Sequence, residues 1–182
     1  MRDPKAETIY RPAVPADAPV LLTVVQAGFE TYRDFAPAGW MPPDETRPEM
    51  VERYTDELAQ PSTFALVAEV GGAVAGHVTL VRAVGASADG TTPDQHLRHL
   101  FVLPRYWGTG IARTLHTAML EHVRGTVRLY TPAAQARARR FYEREGWTLY
   151  QGPHFFHAIG FDLVEYRLRR GEPVFPSDGP DG

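Results

Sequence analysis

The chain has 182 residues, 43% hydrophobic and 23% charged, enough for one sizeable core and cramped for two domains. Nineteen basic against 22 acidic residues leave a net charge of −3, so no global field draws in nucleic acid or a membrane, and neither partner is expected. No apolar stretch approaches the roughly 20 residues of a membrane span, and the opening MRDPKAETIY lacks the apolar core of a secretory leader, so a cytoplasmic protein is expected.

Residues 7–12 read as a short first strand. A helical period starts at Asp17, with Val20, Val24, Ala27 and Phe29 near one face, and ends near Tyr32. FAPAGWMPP, from Phe35 to Pro43, is loop by its prolines and glycine. A polar helix follows from about Glu45 to Leu58, closed by Pro61. Thr63–Val70 is apolar on both faces, as a strand with neighbours on both sides should be. Gly71-Gly72 is a hairpin turn signal, and Val74, Gly76, Val78 and Leu80 alternate after it.

Residues 85–95 read as loop and His96–Pro104 as a strand. From Gly110 to Val123 the period is helical again, with Ile111, Leu115, Ala118, Met119 and Val123 on one face. Residues 126–130 form a strand, and 133–145 an Ala/Arg-rich helix stopped by Gly146. Trp147–Tyr150 and Phe161–Leu168 are the last two strands. The order predicts one α/β domain over residues 1–170, a central mixed sheet of six to seven strands flanked by about four helices. The Pro/Gly/Asp-rich stretch 171–182 is expected to be a disordered tail.

Three absences narrow the chemistry. With no cysteine there are no disulfides, thiolate metal sites or Cys nucleophile. Lys5 is the only lysine, poorly placed for a P-loop or a Schiff base. Ser62, Ser87 and Ser177 are the only serines, and none sits in G-x-S-x-G. Covalent catalysis is therefore not expected.

The most informative segment is LFVLPRYWGTGIARTLHTAML, residues 100–120: strand, proline, glycine loop, helix. Arg105, Gly108 and Gly110 read R-x-x-G-x-G. Glycines let backbone approach a ligand closely, and free N–H groups at a helix N-terminus favour anions, so the segment suits a pyrophosphate. A tight turn needing positive φ explains the same glycines without a ligand. Position 113 is Arg, so the third glycine of a dinucleotide-binding fingerprint is missing.

In two places the sequence resembles the GNAT superfamily of N-acetyltransferases. Leu100-Phe101-Val102, Pro104 and R-Y-W-G-T-G-I-A look like its acetyl-CoA segment, and QARARRFYEREGW, residues 135–147, is similar to its N-x-x-A-x-x-F-Y-x-x-x-G-F signature. The resemblance implies that the backbone of Leu100, Phe101 and Val102 holds pantetheine. It assigns the pyrophosphate to the loop and helix start, Arg105, Tyr106, Trp107, Gly108, Thr109, Gly110, Ile111 and Ala112. Gln135, standing where Asn is usual, would contact pantetheine through its longer amide. Trp147 in place of Phe is read as a change of volume only. Acetyl-CoA is the implied co-substrate, with no metal.

The resemblance also sets Tyr142 beside the CoA sulfur as general acid; the alternative is a core tyrosine with a satisfied hydroxyl. For a general base the strand before the loop offers His96 and His99 and no carboxylate. His99, pointing with Leu97 and Phe101 by alternation, is the candidate, against a buried histidine that moves no proton. Keeping a lysine-like amine neutral at pH 7 costs about 4.6 kcal/mol, an α-amine near pKa 8 only about 1.4. His154 and His157 share the H-x-x-H spacing of His96 and His99 but lack a third ligand. One of Arg137, Arg139, Arg140 and Arg144 is a candidate for a CoA phosphate; a solvated helix face is the alternative.

The acceptor site is expected between Tyr32–Met41 and His154-Phe155-Phe156-His157, both aromatic, which favours a hydrophobic or aromatic amine, or a peptide N-terminus, over a polycation; core packing is the alternative reading of these aromatics. The function implied is acetyl transfer to a small-molecule or peptide amine; a non-catalytic acyl-CoA-binding module on the same fold is the alternative. A strand edge near the C-terminus offers a surface for a homodimer.

Overall fold

The computed structural model describes residues 7–82 and 95–170. The expected tail over 171–182 and the expected loop over 85–95, apart from Gln95, lie outside them. The strands are β1 (Thr8–Pro12), β2 (Phe64–Val70), β3 (Ala73–Arg82), β4 (Gln95–Val102), β5 (Gly125–Pro132), β6 (Thr148–Phe156) and β7 (Phe161–Arg170). The helices are α1 (Ala18–Glu30), α2 (Pro48–Leu58), α3 (Ile111–Leu120) and α4 (Ala136–Arg144). All seven strands join one mixed sheet in the order β1-β2-β3-β4-β5-β7-β6. Only β4 and β5 run parallel.

Two apolar clusters sandwich the sheet. Ile111, Leu115 and Met119 of α3 and Tyr142 of α4 pack with Val78, Leu80 and Leu97 on one face. Leu21, Leu22 and Val25 of α1 and Tyr54 of α2 pack on the other. The buried stripe of α1 is Leu21, Leu22, Val24, Val25 and Gly28, one step round from the expected face, and Val20 is exposed. In VLLTVV only Thr23 is polar, too little to mark which side of the helix faces water. The β2–β3 hairpin turns at Gly71 and Gly72, both at positive φ, as expected.

Two irregularities open the sheet. β4 and β5 pair only at Gln95↔Val127 and His96↔Arg128, then diverge. Thr79 opposes His99 while the next residue, Leu80, opposes Leu97, so Arg98 is the extra residue of a β-bulge. The bulge corrects the expected alternation. Leu97 lies in the cluster of the α3–α4 face, whereas His99 meets Tyr54, His77 and Phe101 on the α1–α2 face.

The C-terminal hairpin is longer than expected. β6 runs to Phe156 through Pro153, and all its residues are exposed. The long edge of β7 supplies partners as far as Phe156↔Phe161, and an outer strand tolerates a proline that a central strand would not.

Candidate active site

Where β4 and β5 part, a cleft of about 680 Å³ passes between the two faces. On the α3–α4 side it is lined by the glycine loop, the start of α3 and α4. On the α1–α2 side it is lined by the end of α1, Glu45, Arg53 and Arg98. Its walls are β4 from His96 to Val102 and β5 from Tyr130 to Pro132.

The first mouth is mostly backbone. Gly108 and Gly110 sit at φ +79° and +90°, and a Cβ on either would meet no protein atom within 4 Å. They are glycine for their conformation, and the space before them is open. Gly110 is the N-cap of α3, and the ladder begins with Thr114 N–H donating to the Gly110 carbonyl, so the N–H groups of Ile111, Ala112 and Arg113 have no partner inside the helix. Such groups, with the helix dipole, favour an anion in the space before them. Trp107 braces the loop: its indole N–H donates to the Val102 carbonyl at 2.8 Å, and the Arg137 guanidinium lies 3.7 Å from its ring centroid. Gln135 lines the cleft and accepts a hydrogen bond from the Thr131 hydroxyl at 3.2 Å.

Tyr142 bridges the faces. Its ring packs among Phe141, Trp147 and Tyr166 of the α3–α4 core, yet it lines the cleft and is felt electrostatically at Tyr32, at the end of α1. Burial pushes its phenol above the ordinary tyrosine value, so the proton stays on at neutral pH. Its hydroxyl has no hydrogen-bond partner among the described residues.

On the α1–α2 side the His99 ring lines the cleft, and its Nδ1 is buried without a partner. Burial, with His77 and Arg98 nearby, holds it well below the usual histidine range, so the ring is neutral at pH 7. Beneath it His77 is fully buried with both ring nitrogens unpartnered and is pushed down to about 3 by burial. Phe101 packs edge-on against Phe29, and a Cβ at Gly28 would run into its ring, so α1 must carry glycine there to lie close to β4.

The glycine loop capping α3, the bulged and diverging β4, and the tyrosine of α4 agree with what the chain matches. A family model of the GNAT acetyltransferases matches residues 26–147. The chain belongs to the GNAT family of acetyltransferases.

GNAT structures cover nearly its whole length. A protein described as a GNAT-family acetyltransferase from Desulfovibrio desulfuricans is 25% identical, with a TM-score of 0.65 over 90% of this chain and 99% of its own. The PaiA N-acetyltransferase of Thermoplasma acidophilum, solved with coenzyme A, is 17% identical, with a TM-score of 0.68 over 90% of this chain and 99% of its own. YncA of Salmonella typhimurium, solved with acetyl-CoA, is 18% identical, with a TM-score of 0.66 over 96% of this chain and all of its own. A comparison with curated proteins gave no match.

The GNAT cleft takes in ten of the twelve residues expected at the cofactor: Leu100, Phe101, Val102, Tyr106, Trp107, Gly108, Gly110, Ile111, Ala112 and Gln135. It takes in Tyr142 and His99 as well. Arg105 and Thr109 do not line it: Arg105 lies over the Tyr106 ring, and the Thr109 hydroxyl donates to the Tyr106 carbonyl at 2.7 Å. His154, Phe155, Phe156 and His157 are exposed on or just past β6, outside the cleft; Ile159 of the following turn lines it instead. Phe35 and Trp40 also stay outside, packed with Tyr32 on Phe161.

Trp147 is more than a change of volume. Its indole N–H donates to His116 Nε2 at 2.9 Å inside the core. That bond fixes the His116 proton on Nδ1, which faces Glu145 at 3.9 Å, and burial pushes the ring down to about 4. Sequence reasoning also missed Glu45, Arg53 and Arg98, which reach the cleft from a loop, a helix and a bulge with no shared spacing.

Proposed function

We propose that the protein transfers an acetyl group from acetyl-CoA directly to a primary amine of a small molecule or a peptide N-terminus. The observation that carries this reading is the continuous cleft: an anion site of backbone amides opens at one mouth, Tyr142 reaches the middle and His99 faces the other mouth. Open space before Gly108 and Gly110 fits a pyrophosphate lying against the α3 amides, and the unpaired β5-facing edge of β4 fits a pantetheine strand. Gln135 lines the same path.

In the transfer, the amine nitrogen forms its bond to the thioester carbon as the carbon–sulfur bond breaks. Tyr142 gives its phenolic proton to the departing sulfur. His99 accepts the proton that the amine gives up. The burial that keeps His99 neutral also makes its imidazolium costly, which favours acceptor amines that are easily neutral. With no cysteine and no serine among the cleft-lining residues, no acetyl-enzyme is formed. The outer edge of β6, with Leu149, Tyr150, Phe155 and Phe156 exposed, supports pairing of two copies.

The test is release of CoA thiol from acetyl-CoA across a broad amine panel. A chain without cysteine gives no background with a thiol reagent. Acetyl-dependent thiol release with at least one amine, and no acetylated enzyme by intact mass, is the expected result. CoA binding without release from any amine would leave the non-catalytic module as the reading.

A further inference from the structure

The charges at the α1–α2 mouth are arranged for a particular kind of acceptor. Three charged side chains line the cleft there: Glu45 between α1 and α2, Arg53 on α2 and Arg98 at the β4 bulge. Arg98 is neutralised by Glu57, with Nε 3.1 Å from Oε1. Arg53 has no ion-pair partner among the described residues, and it is exposed at the mouth. Glu45 is half-buried; Arg53, Arg98 and Arg47 are the cations that bear on it, none within ion-pair distance, and Arg47 is paired with Glu49 at 3.7 Å.

The mouth therefore presents one guanidinium and one carboxylate that feel each other but are not joined in a close ion pair. A polyamine would need a surplus of carboxylates, and none is present among the described lining residues. A plain amine would leave Arg53 with no counterpart. An amine that also carries one anionic group satisfies both charges.

Given acetyl transfer in this cleft, we propose that the acceptor is a small amine bearing a carboxylate, of the amino-acid type, and that Arg53 holds the carboxylate. A guanidinium can grip a carboxylate through two parallel N–H···O bonds, which sets orientation as well as affinity. Glu45 meets the arriving ammonium, and the amine continues inward to His99. Recognition on this pattern also excludes polycations, which would place like charge against Arg53.

The experiment compares acceptors in pairs: phenylalanine, tyrosine and methionine, each against its decarboxylated amine. Wild type should favour the carboxylate-bearing member by about tenfold or more in kcat/KM, the gain expected of one charge-assisted contact. In Arg53→Gln the ratio should fall toward one while acetyl-CoA affinity holds. A wild-type ratio at or below one, or a ratio that Arg53→Gln leaves intact, overturns the proposal. So does loss of acetyl-CoA affinity in the variant, which would put Arg53 on the donor side.

If no amine of any class releases CoA, acetyl transfer itself fails, and calorimetry on the CoA-loaded protein reads the carboxylate site separately. Binding of N-acetylphenylalanine but not of N-acetylphenethylamine, lost in Arg53→Gln, would uphold it. Equal binding of the two, or binding of neither, would overturn it.

Discussion

The two mouths of the cleft are built by opposite means. The α3–α4 mouth presents backbone: positive-φ glycines, unpaired amides at the start of α3 and an unpaired strand edge. The α1–α2 mouth presents side chains brought from an inter-helix loop, a helix and a bulge. A backbone site can serve a whole family with one donor, because amides do not vary with sequence. A side-chain site can change its acceptor one residue at a time without touching the donor site.

Tyr142, between the mouths, should give the largest single effect. Tyr142→Phe keeps the ring among Phe141, Trp147 and Tyr166 and removes only the proton donor. General acid catalysis is worth about 10²–10⁴-fold, and a thiol leaving group near pKa 8.5 puts the expected fall in kcat at about 10². Acetyl-CoA affinity should hold, because the lost contact belongs to the transition state. Since burial raises the phenol, wild-type kcat should show no loss of a general acid up to about pH 10. A variant within about twofold of wild type, assayed where chemistry is rate-limiting, would leave Tyr142 a core tyrosine.

The donor mouth breaks through its backbone. Gly110→Val puts a β-branched residue at φ +90° at the start of α3 and fills the open space before the amides. Strain of about 1–3 kcal/mol and the blocked approach should weaken acetyl-CoA binding at least about tenfold by calorimetry. Undiminished affinity would remove the anion site.

A smaller effect, on stability, comes from the bond behind the donor mouth. Trp147→Phe leaves His116 Nε2 buried without its donor, at an expected cost of about 1–3 kcal/mol by denaturant unfolding. The same histidine sets a pH dependence. Folded His116 titrates at about 4 and an unfolded histidine near 6.5, so the unfolded chain binds the proton first as pH falls. Its contribution is full above about pH 6.5 and is lost between there and pH 4, with a slope of at most about 1.4 kcal/mol per pH unit. His116→Gln should flatten the decline of stability over that window; an unchanged slope would assign it to other groups.

How far the sequence could be read follows the same division. Element order and the donor mouth were legible because glycines, a proline and periodic helices each mark a backbone state locally. The α1–α2 mouth was not legible. A bulge at Arg98 turned Leu97 away from His99, and one residue of slip reverses the facing that alternation assigns. The aromatic run at 154–157 was drawn off by the long pairing edge of β7, which no local pattern announces. Trp147 and His116 lie 31 residues apart, and only the packing of α3 against the start of β6 makes them partners.

The smallest effects separate two arginines at the donor mouth. Arg105 belongs to the glycine-loop motif but is exposed over the Tyr106 ring, outside the cleft. Arg137 belongs to a run that reads as a solvated helix face, yet it lies 3.7 Å over Trp107 and lines the cleft. A guanidinium in that position bears on a polyphosphate ligand with a screened, salt-dependent attraction. Arg137→Ala should weaken acetyl-CoA binding by a few-fold, about 1 kcal/mol at low salt, and by less as salt rises. Arg105→Ala should stay within about twofold at every salt concentration, because an exposed charge that only stacks on a neighbouring ring contributes little. Calorimetry of both variants at two ionic strengths decides it. A larger loss from Arg105→Ala than from Arg137→Ala would show that the loop folds Arg105 inward onto the ligand, and that the motif marks the phosphate contact better than the cleft does.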